Sequence, residues 1–311
     1  MDTTDLRELL SSWELAMEAE RKSPATISSY IRSVKYYLDW CGRDTAKTGG
    51  IHGSVDTDPL DRQTLQRWVT HILASGWEAN TARIRQQAVR RFAAWLADPE
   101  IDEIDTDPFT GMRPPKIDAK VVQALSADDL RLMIKACAGR GFIERRDEAM
   151  LRLLVETGMR AGELLALDTN DLDLGSGQAI VRRGKGGKGR LVAFSATTSA
   201  ALDRYLRVRR RHRHATSAPL WLTKTGGDAR MSYHGLRKTL HLRARAAGVS
   251  GFHIHKLRHT FASRWLRAGG SEGGLMAAAG WTSRGMVDRY SRATASERAM
   301  EESRRLGLGD L

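Results

Sequence analysis

The chain has 311 residues and a mass of 34.6 kDa, more than a single hydrophobic core usually needs, so two domains are expected. With 41% hydrophobic and 28% charged residues it should be a soluble, globular protein. Its 50 Lys and Arg residues against 37 Asp and Glu give a net charge of +13. Such an excess favours a polyanionic partner, with nucleic acid as the first candidate and a basic protein without such a partner as the alternative.

No apolar run is long enough for a membrane helix, and the N-terminus MDTTDLREL is acidic and polar where a signal peptide would be basic and then apolar. We therefore expect a cytoplasmic protein with no membrane partner. The two cysteines, Cys41 and Cys137, lie far apart within amphipathic helical patterns. They are interpreted as small core residues with no disulfide or metal role.

Apolar residues at helical spacing organise the first part of the chain. They predict helices over about 4–20, 24–42, 61–74 and 80–97, with a loop over 44–59. Residues 1–110 are therefore expected to form a helical bundle. Five of the eight tryptophans fall here and are interpreted as core anchors rather than base-stacking platforms: Trp13, Trp40, Trp68, Trp77 and Trp95.

The fourth of these helices combines an apolar face, which includes Ile84 and Phe92, with a group of arginines. The group consists of Arg83, Arg85, Arg90 and Arg91. Such a row can lie against a phosphate backbone, or it can be a solvated helix face, and the sequence does not choose between the two.

A proline-rich stretch without apolar periodicity follows, and it predicts a linker over residues 111–122 between the bundle and a second domain, 123–311. In that domain a capping box at Ser126 opens a helix. Further helices are predicted over 143–156, after Arg160, and over 198–212, 233–247, 255–268, 272–279 and 284–290. Two β-rich arms, 179–183 and 190–194, predict a hairpin, and 219–226 resembles a strand.

Transfer of a phosphodiester without hydrolysis needs a nucleophile that can be released later, cations for the pentavalent state and a proton donor for the departing oxygen. Arg160 and Arg258 are candidate cations, because a guanidinium donates two parallel hydrogen bonds. Glu163 lies one turn from Arg160 and can orient it. His255 lies one turn before Arg258, so both side chains should point at the same spot.

Lys185, at the tip of the hairpin in GKGGKGR, is a candidate general acid, and Lys188 is its rival in the same turn. Tyr290 in DRYSR is a candidate nucleophile, because neighbouring cations favour the phenolate. Each residue alone has an ordinary structural explanation, as a surface charge, a loop residue or a packing residue. The combination of all of them carries the hypothesis.

Four motifs, TGMRAGELLAL, GKGGKGR, HKLRHTFAS and AGWTSRGMVDRY, resemble in order and spacing the tyrosine recombinases of the phage integrase family over about residues 123–292. The resemblance implies a mainly α protein that closes as a C-shaped clamp around double-stranded DNA. The clamp would join an N-terminal SAM-like helical bundle, the core-binding domain, to an α+β catalytic domain of helices with a small antiparallel β-sheet.

The same resemblance implies the reaction. Tyr290 would attack the scissile phosphate and form a 3′-phosphotyrosyl bond, leaving a free 5′ hydroxyl. Arg160 and Arg258 would hold the phosphate, and Lys185 would protonate the 5′ oxygen. His255 would assist proton transfer at Tyr290 or hold the phosphate.

Three further residues receive supporting roles. Glu163 corresponds to the acidic supporting position of the family, and His259 is interpreted as a helix-packing residue that stabilises the site. Trp281 stands where many members have a second histidine, and its indole N–H can still donate to a phosphate oxygen.

No cofactor and no metal are expected. His255 and His259 are four residues apart, but neither a Glu between them nor a third ligand suggests zinc. There is no P-loop, and ATP is not implied because the energy of the broken bond is kept in the phosphotyrosine.

The leading hypothesis is a site-specific recombinase of the bacterial cytoplasm or nucleoid, with a homodimer on each DNA site and a homotetramer on two. The alternatives are a catalytically silent DNA-binding protein and a monomeric enzyme like the type IB topoisomerases. The basic run 207–214 is interpreted as a charged helix end beside the DNA. At this length we expect no additional N-terminal DNA-binding domain. The sequence leaves open the DNA site, accessory factors, docking of the C-terminal tail in cis or in trans, and the choice between a mobile-element integrase and a chromosome-dimer resolvase.

Overall fold

A computed structural model describes residues 1–47, 58–117, 123–182, 189–224, 229–288, 290, 299–300 and 303–305 of the chain. The chain divides into two compact units, residues 1–119 and 120–311. None of the helices in these described ranges has both the length and the apolar character that crossing a membrane would require.

The first unit is a helical bundle. Its helices are α1 (Thr3–Glu8), α2 (Leu10–Ala19), α3 (Pro24–Lys47), α4 (Arg62–Ala74) and α5 (Ala79–Leu96). Asp61 caps α4, because its carboxylate accepts a hydrogen bond from the Thr64 backbone N–H at 2.8 Å. Helix α3 continues beyond Gly42, where the sequence predicted its end. A glycine within a helix costs only about 1 kcal/mol relative to alanine, and the preceding turns outweigh that cost.

The core of this bundle corrects two predictions from the apolar pattern. Trp13 and Trp68 are buried, but Trp77 is 52% exposed and anchors nothing in the core. Trp77 lies in the turn between α4 and α5, where the Arg85 guanidinium stacks on its ring at 4.5 Å. Ile84 is 39% exposed, because the buried face of α5 is carried by small residues such as Ala82 and by the larger side chains one turn further on.

Two residues that follow the last helix belong to the same core. Phe109 and Met112 are buried among the side chains of the bundle. The packed part of the first unit therefore continues past residue 110, where the sequence placed the end of the domain.

The second unit is mainly helical with a small antiparallel sheet, and this confirms the predicted fold class. Its helices are α6 (Ala127–Lys135), α7 (Phe142–Thr157), α8 (Ala161–Ala166), α9 (Ala196–Arg209), α10 (Tyr233–Ala246), α11 (Ile254–Arg267) and α12 (Glu272–Ala279). Its strands are β1 (Leu172–Asp173), β2 (Gln178–Val181) and β3 (Arg190–Ala193), in the order β1-β2-β3. The predicted hairpin is β2–β3, with Ala179 opposite Val192, and the capping box at Ser126 is present.

Two elements differ from the prediction. The sequence did not indicate β1, which has only two residues. The stretch predicted as a strand after Pro219 forms isolated bridges, Asp168 with Pro219 and Leu222 with Arg230, within the part that the structure describes. Its apolar character reflects burial, since Leu220, Trp221 and Leu222 are all inaccessible to solvent.

The second unit has a large core and a smaller one. The large core joins α6 to α11 and the sheet. The smaller cluster lies at the end of the domain, where Phe261 and Leu266 of α11 pack with Leu275 of α12 and with Trp281 and Tyr290. The candidate nucleophile is therefore part of a packed apolar cluster.

Residues 284–288 are helical, and most of the tail beyond Tyr290 lies outside the described residues. Cys41 and Cys137 are buried core residues, as predicted. Burial raises the pKa of Cys137 to about 12, so the thiol stays protonated and behaves as a small core side chain.

Gly158 ends α7 in the left-handed conformation, with φ of 60°, and a Cβ there would lie 2.1 Å from Cδ1 of Phe261. We expect Gly158→Ala to lower the free energy of unfolding by about 3 kcal/mol, the sum of left-handed strain and overpacking. Gly248 is a matched control with φ of 72° and, among the described atoms, no neighbour within 4 Å. Gly248→Ala should cost about 1 kcal/mol. Equal losses in urea denaturation would contradict the packing argument.

Candidate active site

The site is built around the C-terminal end of α12. Gly280 ends this helix in the left-handed conformation, with φ of 64°. The last carbonyls of a helix have no partner within it and carry partial negative charge. Here three consecutive carbonyls, of Ala278, Ala279 and Gly280, each accept a hydrogen bond from a different arginine.

Arg258 is the most buried of these arginines, with 4% of its surface exposed. Its Nη1 donates to the Gly158 carbonyl at 2.6 Å and its Nη2 to the Ala279 carbonyl at 2.7 Å. Burial, followed by the nearby charge of Arg160, lowers the pKa of Arg258 to about 10. The guanidinium therefore keeps its proton at neutral pH, and its side chain joins the ends of α7 and α12.

Arg160 precedes α8 and is oriented by Glu163, as the sequence predicted. Its Nη1 donates to Glu163 Oε1 at 2.7 Å, and its backbone N–H donates to Glu163 Oε2 at 2.8 Å. Its Nη2 lies 3.3 Å from the Gly280 carbonyl oxygen. Arg160 and Arg258 thus reach neighbouring carbonyls of one turn, although they are 98 positions apart in the sequence.

Arg190, the first residue of β3, is a member of the site that the sequence reasoning missed. Its Nη1 and Nη2 donate to Glu163 Oε1 and Oε2 at 3.1 and 2.7 Å, and its Nε donates to the Ala278 carbonyl at 2.9 Å. Burial on its own would raise the pKa of Glu163, but the hydrogen bonds from Arg190 and Arg160 hold it below its usual value. The only signal in the sequence was the position of Arg190 at the end of GKGGKGR.

Aromatic rings connect the arginines to the candidate nucleophile. The Arg258 guanidinium lies 5.1 Å from the centroid of the Trp281 ring, and the rings of Trp281 and Tyr290 stack with centroids 5.2 Å apart. Trp281 is buried, and its indole N–H meets no acceptor among the residues that the structure describes. A buried N–H without a partner costs free energy, so this position favours a ligand that brings an acceptor.

The two histidines of α11 extend this aromatic cluster, with His259 next to Tyr290 and His255 next to His259. His259 is buried, and its ring centroid is 5.1 Å from that of Tyr290. His255 is exposed, and its ring meets His259 edge-on with centroids 4.7 Å apart. His259 therefore packs directly on the candidate nucleophile as well as within its helix. The structure brings together Arg160, Glu163, His255, Arg258, His259, Trp281 and Tyr290, whereas Lys185 and Lys188 lie outside the described residues.

The comparisons with known proteins agree with this arrangement. Residues 123–297, more than half of the chain, match the model of the phage integrase family. The chain belongs to the phage integrase family. A relative named tyrosine recombinase XerC, from Pseudomonas fluorescens, is 30% identical over 261 residues, which cover 81% of this chain and 80% of the relative. The chain is therefore a tyrosine site-specific recombinase.

Solved structures show the same fold. One is the XerH site-specific recombinase bound to a palindromic difH substrate in a post-cleavage complex, with a TM-score of 0.72 and 17% identity over 97% of this chain and 84% of that one. Another is a lambda integrase tetramer bound to a Holliday junction, with a TM-score of 0.64 and 16% identity over 89% and 77%. At these identities the likeness concerns the fold.

The arginines predicted as a group on α5 of the recombinase do not behave alike. Arg83 is exposed, whereas Arg85 stacks between the rings of Tyr36 and Trp77 at 4.9 and 4.5 Å. Arg91 lies 5.9 Å from the ring of Tyr30. Arg90 is half-buried, and within the described ranges its Nε finds no hydrogen-bond partner. The four arginines of α5 therefore do not form a single solvated row.

One arginine of the basic run 207–214 has a structural role. Arg209 is buried, and its guanidinium donates to four backbone carbonyls, those of Ala215, Ser217, Pro219 and Leu220. This arginine holds the loop after α9.

The described residues contain no group of His, Cys, Asp or Glu side chains with the arrangement of a metal site.

We expect Glu163→Gln to lower the free energy of unfolding at pH 7 by about 3 kcal/mol, because Arg160 and Arg190 would lose their shared carboxylate. The pKa of Glu163 is depressed in the folded state, so its contribution is present above the unfolded pKa of about 4.5 and disappears as the pH falls through the folded value. The difference between wild type and variant should therefore shrink as the pH falls below 4.5. Urea denaturation across this range measures it.

The control is Asp128→Asn, which breaks an exposed i,i+3 pair with Arg131. An exposed pair contributes at most about 1 kcal/mol. If the two variants lose equal stability at neutral pH, the carboxylate of Glu163 does not hold the arginines as described.

Proposed function

We propose that this recombinase cleaves and rejoins DNA strands with Tyr290 as the nucleophile. The observation that carries the proposal is the meeting of three arginines at the end of α12, next to the stacked rings of Trp281 and Tyr290. These groups come from four separate segments of the chain. A phosphate held by the arginines would lie beside the phenol that attacks it.

The charges favour an anionic ligand. Arg160 and Arg190 share the carboxylate of Glu163, and within the described residues the other acceptors of the three arginines, including both acceptors of Arg258, are neutral backbone carbonyls. Backbone dipoles orient the guanidinium groups without cancelling their charge, so the positive charge exceeds the negative charge. We infer that Arg160 and Arg258 bind the non-bridging oxygens of the scissile phosphate and stabilise the charge of the pentavalent state.

Trp281 would supply a further donor. Its indole N–H is buried without an acceptor among the described groups and belongs to the residue directly after Gly280. A phosphate oxygen would satisfy it. In this role Trp281 replaces the second histidine as a phosphate ligand, but it cannot exchange a proton as a histidine does.

The bond changes balance without a cofactor. The Tyr290 oxygen bonds to phosphorus and gives up its proton, for which His255 is the proposed acceptor. The bond from phosphorus to the 5′ oxygen breaks, and the leaving oxygen takes a proton from Lys185. Rejoining reverses these steps with a 5′ hydroxyl of the partner strand. Glu163 orients Arg160, and His259 supports Tyr290.

The DNA would be double-stranded and held mainly through its phosphates. We infer that the catalytic domain begins near residue 123, after a linker, and that the first unit contributes Arg83, Arg85, Arg90 and Arg91 as backbone contacts, with Lys188 as a contact from the second. One homodimer would occupy each site, and a homotetramer would hold two sites in the synapse, in the bacterial cytoplasm where the DNA is. A lambda integrase of the same fold is a tetramer on a Holliday junction.

Incubation with nicked duplexes that carry candidate sites tests the nucleophile. Cleavage next to the nick releases a short strand, so the covalent intermediate accumulates as an adduct that survives a denaturing gel. Tyr290→Phe should abolish the adduct and leave DNA retention within about twofold, because only the attacking oxygen is lost.

Tyr233 provides a matched control, since it is 57% exposed at the start of α10 in the same unit. Tyr233→Phe should form the adduct at the wild-type rate. An adduct that persists in Tyr290→Phe would overturn the assignment of the nucleophile.

The salt dependence of binding tests the contacts of the first unit. If Arg83 neutralises a phosphate, Arg83→Gln should reduce the slope of log K against log salt by about 0.9, whereas Arg83→Lys should leave the slope unchanged. Filter binding or anisotropy from low to moderate salt measures both. A slope that is the same for Gln and Lys would remove Arg83 from the DNA interface.

A further inference from the structure

We propose that Arg190 is a positioning residue for DNA cleavage: it occupies half of the Glu163 carboxylate and thereby keeps Arg160 available to the phosphate. This inference rests on the proposed function. Arg190 belongs to β3 and would not touch the DNA phosphate itself. It acts through Glu163 and through the end of α12.

The carboxylate of Glu163 is saturated with hydrogen bonds. Oε1 accepts hydrogen bonds from Arg160 Nη1 and Arg190 Nη1, and Oε2 accepts from the Arg160 backbone N–H and from Arg190 Nη2. A carboxylate has about four acceptor positions, and all four are used here. Its two oxygens are therefore fixed in orientation, and so is the start of α8.

The loss of Arg190 would change the hydrogen bonds between Arg160 and Glu163. A guanidinium and a carboxylate prefer to meet through two parallel hydrogen bonds. At present only Nη1 of Arg160 is used by the Glu163 side chain, and Nη2 lies at the long distance of 3.3 Å from the Gly280 carbonyl. With Arg190 removed, Arg160 would be free to pair with Glu163 through both nitrogens. The Arg160 guanidinium would then be neutralised by the carboxylate and turned away from the phosphate.

Arg190 also holds the C-terminal end of α12. Arg190 Nε donates to the Ala278 carbonyl, two residues before Gly280 and three before Trp281. A Cβ on Gly280 would lie 2.9 Å from Arg190 Nη1 and 3.1 Å from its Cζ. Glycine at this position therefore leaves the space in which the Arg190 guanidinium lies. The same side chain fixes both Glu163 and the turn that carries Trp281.

Arg190→Lys tests the proposal, because lysine keeps the charge but cannot form the two-pronged contact. We expect the rate of adduct formation at saturating DNA to fall by about 100-fold, the usual effect of a small displacement of catalytic groups. The dissociation constant for DNA should change by less than about twofold, since Arg190 itself makes no phosphate contact and the many other backbone contacts still hold the duplex. A nicked duplex with sulfur in place of the leaving 5′ oxygen separates the causes.

A thiolate leaves without a proton donor, so sulfur compensates for a defect in leaving-group protonation. If Arg190 positions the arginines that hold the phosphate, the loss must remain with the sulfur substrate. Full recovery with sulfur would show that Arg190 acts on the proton donor of the hairpin and would overturn the proposal.

Arg243→Lys is the matched control. Arg243 also binds a buried carboxylate, that of Asp147, and a backbone carbonyl, that of Ala136, but its side chain joins α10 to α7 and to the end of α6. Arg243→Lys should lower the melting temperature about as much as Arg190→Lys does, and it should leave the cleavage rate per folded molecule unchanged. An equal loss of rate in both variants would reduce Arg190 to a structural role.

A second variant decides the matter if Arg190→Lys does not fold. Gly280→Ala displaces the Arg190 guanidinium without removing any charge, and we expect a loss of cleavage rate of at least about tenfold. Gly248→Ala controls for left-handed strain alone. Wild-type cleavage rates in the folded Gly280→Ala protein would overturn the inference, whereas the nucleophile assignment would still be judged by Tyr290→Phe.

Discussion

The site depends on the unpaired carbonyls at the C-terminal end of α12. A helix leaves its last carbonyls without internal partners, and Gly280 turns the chain so sharply that three consecutive ones remain accessible to side chains. Arg190, Arg258 and Arg160 occupy them in order. Each arginine donates a hydrogen bond to a carbonyl that would otherwise lack a partner within the helix. The same hydrogen bond fixes the position of the guanidinium. The same hydrogen bonds therefore stabilise the domain and assemble a cluster of cations.

Neutral acceptors make this cluster suitable for phosphate. An arginine held by a carboxylate loses most of its attraction for a second anion, whereas an arginine held by a carbonyl keeps its charge. Here one carboxylate, Glu163, serves both Arg160 and Arg190, and Arg258 is held by the carbonyls of Gly158 and Ala279. The cost of burying Arg258 is visible in its lowered pKa of about 10, and an arriving phosphate would offset that cost.

The sequence predicted the helices and most of the candidate site, because both depend on side chains with distinctive chemistry or spacing. Amphipathic periodicity located α4, α7 and α12 to within a residue or two, and three of the four motifs contain the predicted residues that the structure brings together. The predicted lysines of the fourth, GKGGKGR, lie outside the described residues. What it missed depends on the backbone. The partners of the arginines are carbonyls of Ala278, Ala279 and Gly280, and no letter of the sequence marks a carbonyl as free. Arg190 looked like any other arginine for this reason. Trp77 and Ile84 were assigned to the core because periodicity identifies an apolar residue but not whether a neighbour such as Arg85 covers it.

Arg258 shows how stability and chemistry are linked in this domain. Its two Nη atoms join Gly158, at the end of α7, to Ala279, at the end of α12, and its guanidinium also faces the ring of Trp281. Its orientation is therefore set by two helix ends, and this side chain would need no reorganisation to bind a phosphate in the proposed way. Preorganised charge of this kind stabilises a transition state most effectively, because the cost of orienting it is met during folding. The two left-handed glycines, Gly158 and Gly280, make this possible, since each ends its helix where a carbonyl can reach the arginines. The geometry of the proposed phosphate site is thus decided by the positions at which α7 and α12 end.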